Sequence, residues 1–448
     1  MKLFLPPVFS RLCHHTRPVG LRRHTKPCWG AVCLGLMFFL AGCSTTFPAN
    51  ETPVAPEAVD KTNAELEALP ALNPARKSRP PSVASVAVLS WDEAIQVLAA
   101  DLQGEFAASG EEPASWVAEP FVNGLTGAQS AATRTMTDRV AAWWRAQVPR
   151  ADPWLFTPQA VSKARWWLMG SITPAEVSRQ QQAPIPAWRL CVALADVQSG
   201  LVIAKAIAFA SSQGVNSEPS PFYRDAPLAI NDSAVATRDR RCQALRPGEI
   251  LPKSYLARLT ASPSIHAGIQ WYDSGSPSQA LRQFELALQS PAGHQFRSHL
   301  GVYLAQVKLR QHQAARQSFV TLVDHGIDQG DFSLSLVFRS GSTAVLNQAR
   351  PGPEGDRLRI IAERLSKRLT CAEITVAAVK PAAIGARLAT LRAEQIRRKL
   401  VQAQPVLDKR LRVAEPEWMQ IETQAIKKSI AGASSEPSTV RFRSIDCY

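Results

Sequence analysis

The 448-residue chain lacks the usual marks of a catalytic site. It has no Gly-x-Ser-x-Gly elbow, no phosphate loop, no His-Glu-x-x-His and no pair of acids spaced for a cleft. No Cys-x-x-Cys or His/Cys spacing suits a metal ion. His266, His294, His299, His312 and His325 all fall in one helical stretch, where they read as surface or packing residues. The expectation is a non-enzyme with no catalytic residue, cofactor or metal site. Long apolar runs are missing too. The longest candidate, Gly30 to Leu40, is about a dozen residues, and spanning a bilayer takes roughly 20. With 46% hydrophobic and 20% charged residues, the rest is ordinary globular material.

Acids are absent from the first 42 residues, which carry Lys2, Arg11, Arg17, Arg22, Arg23 and Lys26. Positive charge, then a short apolar run, then small residues is the order of an export signal. Leu40-Ala41-Gly42-Cys43 resembles the lipobox of bacterial lipoproteins. That resemblance implies cleavage before Cys43 and acylation, palmitate included, of its thiol. Two or more acyl chains hold a protein on a membrane where one does not. Ser44-Thr45-Thr46 follows without an Asp, which by resemblance to sorted lipoproteins implies the outer membrane, facing the periplasm. Residues 43–81, rich in Pro, Ala, Thr and Asn, cannot bury a core and read as a tether.

The net charge is +14; six of those positives lie in the signal, leaving +8 for the remainder. Residues 350–412 hold 15 Lys/Arg against 6 Asp/Glu, a local surplus of 9. Such a surface suits anionic lipid or wall carboxylates, and solvated helix faces are the plainer alternative. Nucleic acid is not an expected partner outside the cytoplasm. Beyond the signal and the anchor, four cysteines remain, allowing three pairings. Cys371 with Cys447 is preferred, since both lie at strand-like ends of one C-terminal stretch, which leaves Cys191 with Cys242. Buried free thiols are the alternative.

The fold class expected is α+β, in several domains. Residues 82–255 alternate strands with helices: strands over 83–89, 154–156, 165–173, 188–196 and 201–210, helices over 92–106 and 126–148. Val197-Gln198-Ser199-Gly200 is a hairpin turn with Gly where positive φ is wanted. The texts Phe121-Val122-Asn123-Gly124-Leu125-Thr126-Gly127, Leu168-Met169-Gly170-Ser171-Ile172-Thr173 and the hairpin resemble the α/β domain of LpoB- and CsgG-like lipoproteins. Trp143/Trp144 and Trp166/Trp167 read as core and interface packing.

Residues 256–328 read as four helices, 264–274, 279–289, 295–309 and 313–324. Phe284 and Phe319 are 35 apart, and Ala280 and Ala314 are 34 apart. Trp271-Tyr272-x-x-Gly275 and Ala280-Leu281-x-x-Phe284 resemble tetratricopeptide units, which bind proteins. Two such units are fewer than the three or so needed to stand alone, so they must pack on a neighbour.

Residues 329–448 read as strand 332–339, helix 355–369, strand 371–379, helix 385–401 and strand 440–447. This β-α-β-α-β order, with Leu388-Ala389-Thr390-Leu391-Arg392-Ala393, resembles a degenerate OmpA-like peptidoglycan-associated domain. The resemblance places Arg392 where a carboxylate-binding arginine sits, with Lys380 as a second anion-binding candidate. The family's Gly-His-Thr-Asp is missing after the strand at Ala377-Ala378-Val379, and Gly385 replaces its Asn, so weak or absent peptidoglycan contact is expected. The function expected is a non-catalytic envelope scaffold or adaptor, anchored by lipid and using the tetratricopeptide-like helices for a protein partner. The alternative is a subunit of an envelope secretion or assembly ring.

Overall fold

The computed structural model describes residues 87–177, 184–230, 246–346, 356–378, 382–416 and 435–447. The signal at 1–42, the tether at 43–81, Cys43, Cys242 and Lys380 lie outside the described residues. The architecture is mixed α/β, with two sheets. No described helix is long and apolar enough to cross a membrane.

The first sheet is built from β1 (Val88–Leu89), β2 (Trp116–Ala118), β3 (Val122–Asn123), β4 (Pro153–Trp154), β5 (Trp166–Val177), β6 (Ile185–Asp196) and β7 (Val202–Ser211). Its order is β1-β7-β6-β5-β2-β4, with β3 also on β5. Helices α1 (Trp91–Ser109), α2 (Ala131–Gln147) and α3 (Pro158–Lys163) intervene in the chain. Helix α1 starts at Ser90, whose hydroxyl accepts from the Glu93 amide while Glu93 accepts from the Ser90 amide, a reciprocal cap. It ends at Gly110 with φ 76°, where a side chain would be strained. Its stripe Ala94, Ile95, Leu98, Leu102 and Phe106 is buried with Trp144 of α2 and with Trp166, Leu168 and Leu190 of the sheet. The opposite face packs Trp167, Met169 and Ala193 against Val161 and Leu259. The β6–β7 turn is closed by Asp196, whose carboxylate accepts from the amides of Gln198 and Ser199 (3.0 and 2.7 Å); Gly200 follows at φ 72°.

The second half begins with α4 (Pro221–Arg224), β8 (Leu228–Ile230) and α5 (Lys253–Leu259). Four antiparallel-neighbour helices follow: α6 (Ser262–Asp273), α7 (Pro277–Gln289), α8 (Phe296–Lys308) and α9 (His312–Asp328). Phe284 and Phe319 are fully buried, as are Ala280 and Ala315. Ala314, which stands 34 positions after Ala280, is exposed. The buried small residue is Ala315, which puts both pairs 35 residues apart. Close approach around Phe284 requires glycine: a Cβ at Gly268 or Gly301 would meet its ring at 2.7 or 2.4 Å.

The chain closes through β9 (Asp331–Arg339), α10 (Arg357–Lys367), β10 (Cys371–Val376), α11 (Ala382–Ala403), β11 (Leu411–Val413) and β12 (Ser435–Ile445). The sheet order is β11-β10-β12-β9-β8. Strand β12 runs antiparallel to both β10 and β9, and β11 pairs in parallel with β10. Along β9, Phe332, Leu334, Leu336 and Phe338 face inward and alternate with Ser333, Ser335, Val337 and Arg339. Leu228 of β8 pairs with Leu334, so a strand from within 82–255 completes the C-terminal sheet. One apolar core contains Phe222, the four helices α6–α9, and the covered face of this sheet.

Cys371 and Cys447, 76 positions apart in the sequence, are disulfide-bonded with Cα atoms 5.4 Å apart. The register explains the reach: Cys371 lies opposite Ile445, two residues before Cys447. Cys191 is also disulfide-bonded. Removing the Cys371–Cys447 link with Cys447→Ser is expected to cost about 2–4 kcal/mol in urea unfolding, by releasing a long loop in the unfolded chain. An unchanged midpoint would show that β12 is held without it.

Candidate functional site

Arg392 sits on the apolar stripe of α11, between Ala389 and Ala393 on one side and Ile396 and Leu400 on the other, all buried. It is 3% exposed. Its Nε donates to the Ser342 carbonyl at 2.9 Å, and its guanidinium stands 4.6 Å from the centre of the Phe338 ring. The side chain thus ties α11 to the loop after β9. A ligand carboxylate approaching from solvent would have to displace that packing.

A cleft open to solvent lies elsewhere, where helices α6 and α8 meet strand β9. It has a volume of about 380 Å³, within the range of small ligand clefts. Its helical wall is Tyr272 from α6 with Tyr303, Leu304, Val307 and Lys308 from α8. Its floor is Ser335, Leu336 and Val337 of β9, closed at one end by Asp225 to Pro227 and at the other by Leu346 and Arg357.

Helical spacing sets the wall, because Tyr303, Leu304, Val307 and Lys308 recur at i, i+1, i+4 and i+5. Tyr272 donates to Asp225 at 2.8 Å, and the Lys308 ammonium lies 2.9 Å from the same oxygen and 5.5 Å from the Tyr272 ring centre. Burial pushes the Asp225 carboxyl up, but the hydrogen bonds and charge of Lys308, with the Tyr272 hydroxyl and Arg224, outweigh it; the net shift is downward. Burial and the neighbouring Asp225 push the Tyr272 phenol up, so it remains a protonated donor. Arg357 donates to the Tyr303 hydroxyl at 3.2 Å. Of the cleft's cations, Lys308 is paired with Asp225 and Arg224 with Glu218, at 2.9 and 3.3 Å. The hydroxyls, carboxylate and cations here can bind and orient a polar ligand.

No protein-family model matches the chain, and no curated protein matches its sequence.

The cleft was not among the sites expected from sequence. Tyr272 does fall in Trp271-Tyr272-x-x-Gly275, and Lys308 ends a helix with a cation, as the helix dipole favours. Nothing in the sequence placed Asp225 or β9 beside them.

Four of the five helical histidines pack ring to ring, and His312 is exposed. His299 lies between His294 and His325, with ring centres 5.5 and 6.0 Å away, and His325 also meets Phe296. His266 packs on Phe156. Among the described residues, no group of three His, Cys, Asp or Glu is placed to hold a metal ion. Burial holds both His266 and His299 down to about 4, the first helped by Arg297 and Arg134, the second by His325 and His294. Both are therefore neutral in the folded protein at pH 7. As pH falls from about 6.5 towards 4, the unfolded chain takes up protons that the folded one refuses, and stability declines through that window. The expected loss is about 2–4 kcal/mol after allowance for partial exposure. Urea midpoints measured from pH 7 to pH 4.5 should fall, and fall less in His299→Gln. An equal decline in that variant would remove His299 from the account.

Proposed function

We propose that this protein is a non-catalytic adaptor of the cell envelope. Acyl chains on Cys43 would hold it on the outer membrane, and the stretch to residue 81 would give it reach into the periplasm. The observation that carries the reading is the concave, tyrosine-walled cleft where the helical pairs meet the second sheet. A surface of this kind, flanked by helices with the exposed Trp271, suits protein recognition.

Finer fold likenesses belong to the same proposal. The β5-β6-β7 meander backed by α1 and α2 supports an LpoB- or CsgG-like first domain. The paired Phe284 and Phe319 support tetratricopeptide-like helices. The order β9-α10-β10-α11-β12 supports an OmpA-like closing domain, with β11 as a short addition. The interior position of Arg392 supports a bracing role and speaks for weak peptidoglycan contact at most.

Three measurements test the proposal. Cys43→Ala should move the protein from the membrane fraction to the soluble periplasm. In-cell crosslinking from a photoreactive residue at Trp271 should capture a protein, whereas purified sacculi should not retain the full chain. Retention on sacculi that Arg392→Ala abolishes, with the fold intact, would replace the adaptor by a wall-binding protein.

A further inference from the structure

The first sheet ends at β4, where the chain leaves apolar side chains in water. Trp154 lies opposite Val117, which lies opposite Trp167, and those two are buried on the α3 side of the sheet. Trp154 is the uncovered end of that row, 37% exposed. Phe156 turns onto the same core and the ring of His266, and Leu155 is left 83% exposed between them. No other large apolar side chain among the described residues is as exposed. The tip is held in place. The Thr157 N–H donates to the Leu155 carbonyl at 2.8 Å, and the Thr157 hydroxyl accepts from the Ala160 amide to cap α3. Pro153 has no N–H to offer a further strand, so a protein partner cannot extend the sheet there in the usual way.

The flanks of the tip carry charge of one sign. From residue 145 to 165 the chain has Arg145, Arg150, Lys163 and Arg165 against one acid, Asp152. Arg165 is taken up by Glu111 at 2.6 Å. Arg150 and Lys163 are exposed and make no ion pair among the described residues, unlike the arginines that brace the C-terminal half. Backbone bonds bring both to the foot of β2. Trp116 donates to the Asp152 carbonyl at 2.9 Å, and the Ser115 carbonyl accepts from the amides of Arg165 and Trp166 at 3.0 Å. A Trp-Leu pair on a fixed turn between two unpaired cations has the make-up of a segment that lies in the head-group layer of a bilayer. We propose that Trp154 and Leu155 dip into the surface of an anionic phospholipid membrane, with Arg150 and Lys163 on its phosphates. An acyl chain joined by a basic patch holds more firmly than the chain alone. The contact rests on the lipid-anchored reading for its nearness to a membrane, and it turns the β4 end of the first sheet towards that surface.

The test places a polarity-sensitive fluorescent residue at position 155 of the full chain, reconstituted on phosphatidylcholine vesicles with and without phosphatidylglycerol. With phosphatidylglycerol the emission should shift to the blue and be quenched by a doxyl-labelled lipid; on phosphatidylcholine alone it should do neither. Arg150→Glu with Lys163→Glu should lower the immersed fraction at least about tenfold, since each basic residue near an anionic surface counts for about fivefold. Immersion that persists in Cys43→Ala would support the contact even if acylation fails. A chain that floats with the vesicles while residue 155 stays in water would overturn the contact and leave the lipid anchor standing. Equal immersion on phosphatidylcholine, or immersion unchanged by the charge reversals, would overturn the assignment to anionic lipid. A blue shift that grows with protein concentration in the absence of lipid would overturn it too, by making the tip a contact between copies of the chain.

Discussion

Two helical hairpins present more apolar surface than they can bury against each other, and Phe332 is where that surplus is taken up. Its ring stacks on Phe442 of β12 with centres 4.8 Å apart. On its other side a Cβ at Gly326 of α9 would meet it at 2.9 Å. Glycine at the end of α9 thus allows the helix to lie directly on the first core residue of β9. The helices gain the neighbour that two repeats need, and the sheet gains a cover for its apolar face. Helix α10 is drawn to the same joint by the Arg364–Asp324 pair, two parallel hydrogen bonds of 2.7 and 2.8 Å with both side chains largely shielded. The cleft is a by-product of this joint. It lies where α6 and α8 pass over β9 without filling the space above its edge.

The distribution of charge follows from that packing. Most of the arginines between residues 350 and 412 are occupied in holding elements together. Arg364 and Arg368 reach Asp324 and Asp328, Arg397 reaches Asp408, and Arg392 ties α11 to the loop after β9. A local surplus of basic residues is therefore a poor guide to a binding surface in this chain. The cations of the cleft are fewer, and Arg224 and Lys308 come from outside the basic stretch.

Much of this was legible in the sequence, and the limits have physical causes. The long strands β5 to β7, their hairpin turn and the four helices carry strong periodicity, and the structure places them within a few residues of expectation. The two- and three-residue strands β2, β3, β8 and β11 carry none, because such short pieces exist only through the strand beside them. Helix α2 starts at the Ser130 cap, later than position 126, because the preceding residues form an Asn123-centred turn. The motif around Arg392 marked the residue but not its direction. Its spacing from Ala389 and Ile396 is that of one helix face, so the apolar period already pointed inward. The cleft had no such signal. Asp225, Tyr272, Lys308 and Ser335 are drawn together over more than a hundred positions, and only the tertiary fold does that.

The central claim is that the helical pairs and the C-terminal sheet stand or fall together. Native-state hydrogen exchange measures this directly. Amides of α7 and α8 and those of β9 and β12 should open with one common free energy, and Phe332→Ala should lower both sets by the same amount, about 3–5 kcal/mol. Helices that lose protection while the sheet keeps its own, or the reverse, would contradict a shared core.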